Sequence, residues 1–137
     1  AAPMDAEEIP CAKASLSLDE FIKEKDAGFT ETLLDLIKKR GWKNATVYKK
    51  ANISKQHFSK LINDPEAKPS KPTAIALALA LELDLETTRD LIGRAGYALT
   101  NSSTFDLIIR YFIEHKQFNV IEINIALYEF DQSLLGA

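Results

Sequence analysis

Asn44-Ala-Thr-Val-Tyr-Lys-Lys-Ala-Asn-Ile-Ser-Lys-Gln-His-Phe-Ser-Lys-Leu-Ile-Asn63 reads as two short helices joined by a tight turn. Asn44 is suited to cap the first, about residues 45–51, because its side-chain oxygen accepts from an orphan N–H of the first turn. Asn52 takes the turn, since Asn tolerates the left-handed backbone better than most residues. Ser54 caps the second helix, which runs from Lys55 to about Asn63. Phe58, Leu61 and Ile62 stand at i, i+3 and i+4 and give it one apolar face. The opposite face carries Lys55, Gln56, His57, Ser59, Lys60 and Asn63.

The same stretch lies inside a basic island. Residues 38–71 hold ten Lys or Arg against Asp64 and Glu66, net +8, whereas residues 1–37 are net −6 and residues 72–137 net −5. The chain as a whole carries −3, which by itself argues weakly against a nucleic-acid partner. The field at a surface depends on where charges sit, so the distribution argues the other way. Phosphate neutralisation by Lys and Arg supplies most non-specific DNA affinity, and a DNA-binding face must concentrate positive charge. A solvated helix surface is the plainer explanation of a Lys-rich stretch. It accounts for Lys38, Lys39 and Arg40, which sit where they favour a helix C-terminus.

Working outward, Ser17 with Glu20 has capping-box spacing and predicts a short helix from Leu18 to about Lys25. Thr30 is the expected cap of the next helix, with Phe29 stapling onto Leu34 and Gly41 ending it. Asp64-Pro65 stops the helix that begins at Lys55, and Lys68-Pro-Ser-Lys-Pro72 reads as a rigid basic loop. Thr73 to Glu82 alternates Ala with Leu, but its four alanines favour a helix, apolar all round and therefore central and buried. Asp84 caps a helix to about Arg94. Ser102 or Ser103 caps another to Lys116, and Asn119 with Glu122 opens a last one to about Phe130. In that last segment, apolar residues at 120, 123, 127, 130 and 134 fit a helix at least as well as a strand. The expected architecture is all-α, a compact bundle of seven or eight short helices over residues 17–137 as one domain. Residues 1–16 lack periodicity and read as a linker or disordered arm.

A chain of 137 residues fits one domain with a real core. Its apolar content of 46% and charged content of 27% are ordinary for a soluble globular protein. A single cysteine, Cys11, rules out an intramolecular disulfide and a Cys-rich zinc site, and fits a reducing compartment. The longest apolar run, Thr73 to Leu81, falls far short of the ~20 residues of a membrane span. With no secretory signal visible, a cytoplasmic location is expected. The opening Ala1-Ala-Pro-Met4 is an unusual natural beginning and leaves open a fragment of a longer protein or a start at Met4. No enzyme signature is present: His57 and His115 are far apart in sequence, and no phosphate-cradling Gly loop or metal-ligand cluster occurs. No catalytic residue, metal, cofactor or small-molecule ligand is expected.

From Leu33 to Leu91 the order and spacing of these elements resemble the lambda-repressor-like, Xre-type helix-turn-helix family, a five-helix domain. The likeness covers a little under half the chain. Leu34-Asp-Leu-Ile-Lys-Lys-Arg-Gly41 looks like its first helix. Val47 to Ile62 looks like its helix pair, with Ile53-Ser54 at the turn exit and Phe58 and Leu61 turned inward. Pro69-Ser70, the Ala/Leu-rich helix and Leu83-Asp-Leu85 look like its fourth helix and the approach to its fifth. The resemblance implies a DNA-binding transcriptional regulator whose second motif helix enters the major groove. Carried over by position, Lys55, Gln56, His57, Ser59 and Lys60 would face DNA. Gln56 would pair bidentately with adenine, and Lys55 or Lys60 would reach guanine or phosphate. Asn44 would hold a backbone phosphate, with Lys43, Lys49, Lys68 and Lys71 as flanking phosphate contacts.

Three residues depart from that family's pattern. Asn44 stands where Gln is common, Tyr48 where a small Ala allows the helices to cross closely, and Asn52 where Gly is usual. Ala51 replaces a larger apolar residue, so Tyr48 and Ala51 are expected to exchange volume. Residues 97–137 lie outside the five helices. Tyr111, Phe112, Phe118, Tyr128 and Phe130 there imply either added core or a homodimer surface over about residues 103–130. The competing function is a protein-interaction or regulatory C-terminal module of a larger bacterial-type protein that keeps the fold without binding DNA. RNA or single-strand binding is a further alternative, but only Trp42 and Tyr48 supply aromatics near the island.

Overall fold

Ser17 Oγ accepts the Glu20 backbone N–H at 3.3 Å while Glu20 Oε1 accepts that of Ser17 at 3.1 Å, so the capping box forms as spaced. The computed structural model describes residues 17–64 and 66–136. The arm expected over residues 1–16, with Cys11, and the helix stop at Pro65 lie outside the described residues. The first helix, α1 (Leu18–Ile22), is shorter than expected and buries nothing. Leu18, Phe21 and Ile22 all face water.

Helix α2 (Phe29–Arg40) corrects the reading of Thr30. Gly28 holds the cap position, and Thr30 is buried within the first turn. Its Oγ1 donates to the Leu61 carbonyl at 3.3 Å, so a tertiary partner takes the hydroxyl that a cap would have used. Phe29 is the first helical residue rather than the residue before a cap. Gly41 ends the helix at φ 73, its N–H bonded to the Lys38 carbonyl, a backbone state that favours glycine.

Helices α3 (Asn44–Lys50) and α4 (Lys55–Ile62) are the motif pair. Asn44 is the first helical residue of α3. Lys43 holds the cap position with no side-chain bond, which corrects the role given to Asn44. Asn52 turns the chain at φ 61. Its N–H reaches the Lys49 carbonyl and the Ile53 N–H the Tyr48 carbonyl, which closes α3 in a Schellman end.

Helix α5 (Lys71–Ala80) starts two residues before Thr73, because Ser70 caps it and Pro72 fits its first turn. Every residue from Thr73 to Leu81 is buried, which explains the unbroken Ala and Leu. Helix α6 (Leu85–Gly93) is capped by Asp84, α7 (Thr104–Glu114) by Ser103 and α8 (Val120–Glu129) by Asn119. Among the described residues there are eight helices and no strand. α5 lies at the centre, against α3, α6 and α8, while α7 joins α6 and α8. A fully buried Leu or Ile contributes about 1.5–3 kcal/mol, so α5 with Leu33, Leu91, Ile109 and Leu127 forms the bulk of the core.

The end of α8 departs from the periodic reading. Val120, Ile123 and Leu127 are buried, but Phe130 and Leu134 are exposed. Asp131 at φ 57 turns the chain out of the helix, and Leu135 is buried in their place. Asn124 clamps that tail: its Oδ1 accepts the Leu135 N–H at 2.7 Å and its Nδ2 donates to the Leu135 carbonyl at 3.2 Å.

Candidate nucleic-acid interface

α4 is held at both ends and along one face. Phe58 and Leu61 are buried, and the helix packs on α2 and α3. The Leu61 carbonyl lies in the last turn, where helix carbonyls lack an intrahelical donor, so the bond from Thr30 satisfies it and anchors that end. At the other end Ser54 Oγ accepts the His57 N–H at 3.0 Å, a cap worth about 1 kcal/mol. Tyr48 fills the crossing of α3 and α4. Its half-buried ring lies 5.5 Å from that of Phe58 and tilted by 45°, and the neighbouring Ala51 is fully buried.

With one face fixed inward, helical periodicity sends Lys55, Gln56, Ser59, Lys60 and Asn63 outward. Lys55, Gln56, Lys60 and Asn63 are exposed, and Ser59 is half-buried. His57 is half-buried at the margin of the inner face. No acid occurs in α4. Lys43 and Asn44 are exposed where α3 begins, and Lys68 is exposed in the loop before α5. That loop is pinned by the Tyr97 hydroxyl, which donates to the carbonyl of buried Pro69 at 2.8 Å.

Two of the expected contacts stand in other company. Lys49 lines a cleft bounded by α3, α5 and the start of α8. Lys71 is half-buried, its Nζ 2.7 Å from Asp106 Oδ1, and Asp106 is 1% exposed. Others in the island are also paired: Lys39 with Asp35 at 3.1 Å, and Arg40 and Lys50 with Glu82 at 3.4 and 3.5 Å. Arg40 and Lys50 also flank the Trp42 ring, 4.4 and 4.7 Å from its centroid. Among the described residues, Lys43, Lys49, Lys55, Lys60 and Lys68 make no ion pair. Sequence reasoning missed the Trp42–Glu82 cluster, since nothing local links residues 32 and 42 positions apart.

Residues 33–87 match the family model described as Helix-turn-helix. They form a helix-turn-helix domain. Its matched span begins within α2 and ends in the first turn of α6, so the helix-turn-helix domain includes the α3–α4 pair and the buried α5. Helices α7 and α8 lie beyond the match. Neither the curated proteins nor the solved structures gave a match to the chain. No helix among the described residues is long and apolar enough to cross a membrane.

Proposed function

We propose that the protein binds double-stranded DNA and regulates transcription in the cytoplasm, with α4 laid in the major groove. The observation that carries the reading is the outer face of α4. It groups Lys55, Gln56, Ser59, Lys60 and Asn63, free of acids, on a helix whose other face is anchored. Gln56 is assigned to adenine, Lys55 and Lys60 to guanine or phosphate, with Ser59 and His57 as lesser contacts. Lys43, Asn44 and Lys68 are assigned to the phosphate backbone on either side. Lys71 is left out of this reading because its ammonium is paired with Asp106, and Lys49 because it lines the cleft beside α5 and α8 rather than the outer face of α4. Residues 17–137 act as one folded unit, with α7 and α8 packed on the helix-turn-helix domain.

The reading includes a homodimer through residues 103–130. Leu107, Tyr111, Ile121, Ile125, Tyr128 and Phe130 are all exposed there, large apolar side chains of the kind an interface covers. A two-fold pair of α4 helices would read two half-sites. The same apolar side chains favour a second reading, in which the domain is a protein-interaction module of a larger protein and binds no DNA.

Anisotropy of a labelled duplex, measured over a salt series, tests the first reading. With Lys43, Lys55, Lys60 and Lys68 on phosphates, log K should fall against log salt with a slope of about −3 to −4 per protomer. Replacing one of these lysines by Gln should flatten the slope by about 1. Lys55→Glu with Lys60→Glu should abolish binding. A chain that ignores duplex at low salt, or binds it with no salt dependence, leaves only the second reading.

A further inference from the structure

A cleft of about 650 Å³ opens where the C-terminal ends of α3 and α5 meet the connection between α7 and α8. Its walls carry Lys49, Lys50 and Lys116 against a single acid, Glu82. That acid is already shared by Arg40 and Lys50. Among the described residues, neither Lys49 nor Lys116 makes an ion pair, so neither charge is neutralised by direct pairing. Half-buried Phe118 and exposed Ile121, backed by buried Leu79 and Val120, give the cleft an apolar wall beside this cationic edge.

Helix ends offer a simpler account of the lysines, and magnitudes weigh against it. Asn52, Glu82 and Lys116 all line the cleft, and each is the left-handed residue that closes a helix, at φ 61, 56 and 55. Three helix C-termini bring roughly −0.5 charge each, offset by about +0.5 from the N-terminus of α8, a net of about −1. The three lysines and Glu82 sum to +2, with Arg40 behind them, so the cleft stays positive after the dipoles are counted. The closing N–H bonds, Lys116 to Ile113 and Gln117 to Phe112 among them, further blunt the exposed carbonyls.

We propose that this cleft binds a small phosphorylated molecule carrying a flat aromatic ring, the class to which nucleoside phosphates belong. Lys49 and Lys116 hold the phosphate as point charges, and the ring lies against Phe118 and Ile121. The volume falls in the range of small-molecule sites. The proposal does not depend on DNA being the partner of α4. The site abuts Asn52, the residue that turns α3 into α4, so its occupant would sit directly behind the motif turn.

Titration of the full chain with ADP, inorganic phosphate and adenosine, followed by amide chemical shifts, tests it. ADP should give saturable shifts at residues 49–52 and 116–121. Inorganic phosphate should move the same amides more weakly, and adenosine should bind at least tenfold less tightly than ADP. Lys116→Gln should weaken ADP about tenfold, as loss of one charged contact does, while its thermal midpoint and duplex binding stay as in the parent. Lys49→Gln provides the same reading on a different helix should the first variant fold poorly. The proposal is overturned if ADP gives no saturable shifts at the cleft, or if adenosine binds as well as ADP. A duplex that displaces ADP from these residues would assign the phosphate site to the DNA backbone and overturn it equally.

Discussion

Lys71 Nζ lies 2.7 Å from Asp106 Oδ1, and the other carboxylate oxygen accepts from the Thr100 N–H at 2.8 Å and the Thr100 hydroxyl at 3.2 Å. Losing the lysine leaves a sealed carboxylate without its cation. Lys71→Met should therefore cost about 2 kcal/mol or more of unfolding free energy, short of a fully dry pair because Lys71 still touches water. Adding Asp106→Asn should recover part of that loss, and denaturant melts of the two variants measure it. Duplex affinity should be unchanged by either; a fall without loss of stability would return Lys71 to the DNA contacts. Gly136 shows a second constraint at single-residue scale. It sits at φ 87, and a Cβ there would lie 2.7 Å from the Asn52 carbonyl oxygen and 3.1 Å from that of Ala51. Gly136→Ala should lower stability by about 1–2 kcal/mol in the same melts, the sum of a left-handed alanine and a displaced tail. A melt indistinguishable from the parent would mean that the tail does not rest on the motif turn in solution.

Helix ends set the elements, and α6 gives the cleanest case of a titrating one. The Thr87 backbone N–H, donating to Asp84 Oδ1 at 2.8 Å and assisted by the Thr87 hydroxyl, holds the Asp84 carboxyl below its usual range. The unfolded chain then takes up the proton before the folded one does. The cap's contribution is whole above the ordinary carboxylate range and is lost as pH falls through the depressed value. The Thr87 amide shift should titrate in that acidic window and lose its pH dependence in Asp84→Asn, which keeps the acceptor without the charge. A Thr87 amide that titrates unchanged in the variant would assign the effect to another group. Caps of this kind were legible in the sequence: Ser17, Ser54, Asp84 and Asn119 all accept from the expected turn, and Ser103 takes the cap that was open between Ser102 and Ser103. Thr30 and Asn44 were not, for different reasons. Thr30 has a competing partner 31 positions away, and the chain enters α3 one residue earlier than a cap at Asn44 allows. Phe130 and Leu134 kept the apolar rhythm but left the core when Asp131 turned the chain, an event that periodicity does not register.

At the scale of the whole molecule, α7 and α8 add core through Ile109, Ile113, Ile123 and Leu127 while leaving a second apolar face in water. If that face joins two copies, Ile125→Glu with Tyr128→Glu should convert a dimer to a folded monomer in sedimentation equilibrium. A parent chain that stays monomeric wherever duplex is bound would remove the dimer from the reading. The sequence alone determined the helical class, the turn between α3 and α4, four helix caps and the burial of α5, because each depends on residues within about one or two turns of one another. Only the tertiary structure decided which lysines of the island remain unpaired. Glu82 draws Arg40 and Lys50 from far along the chain, Asp106 draws Lys71, and a cleft forms where three helix ends meet. Coulomb partners are chosen by distance in space, and the packing of α5 against its neighbours sets that distance.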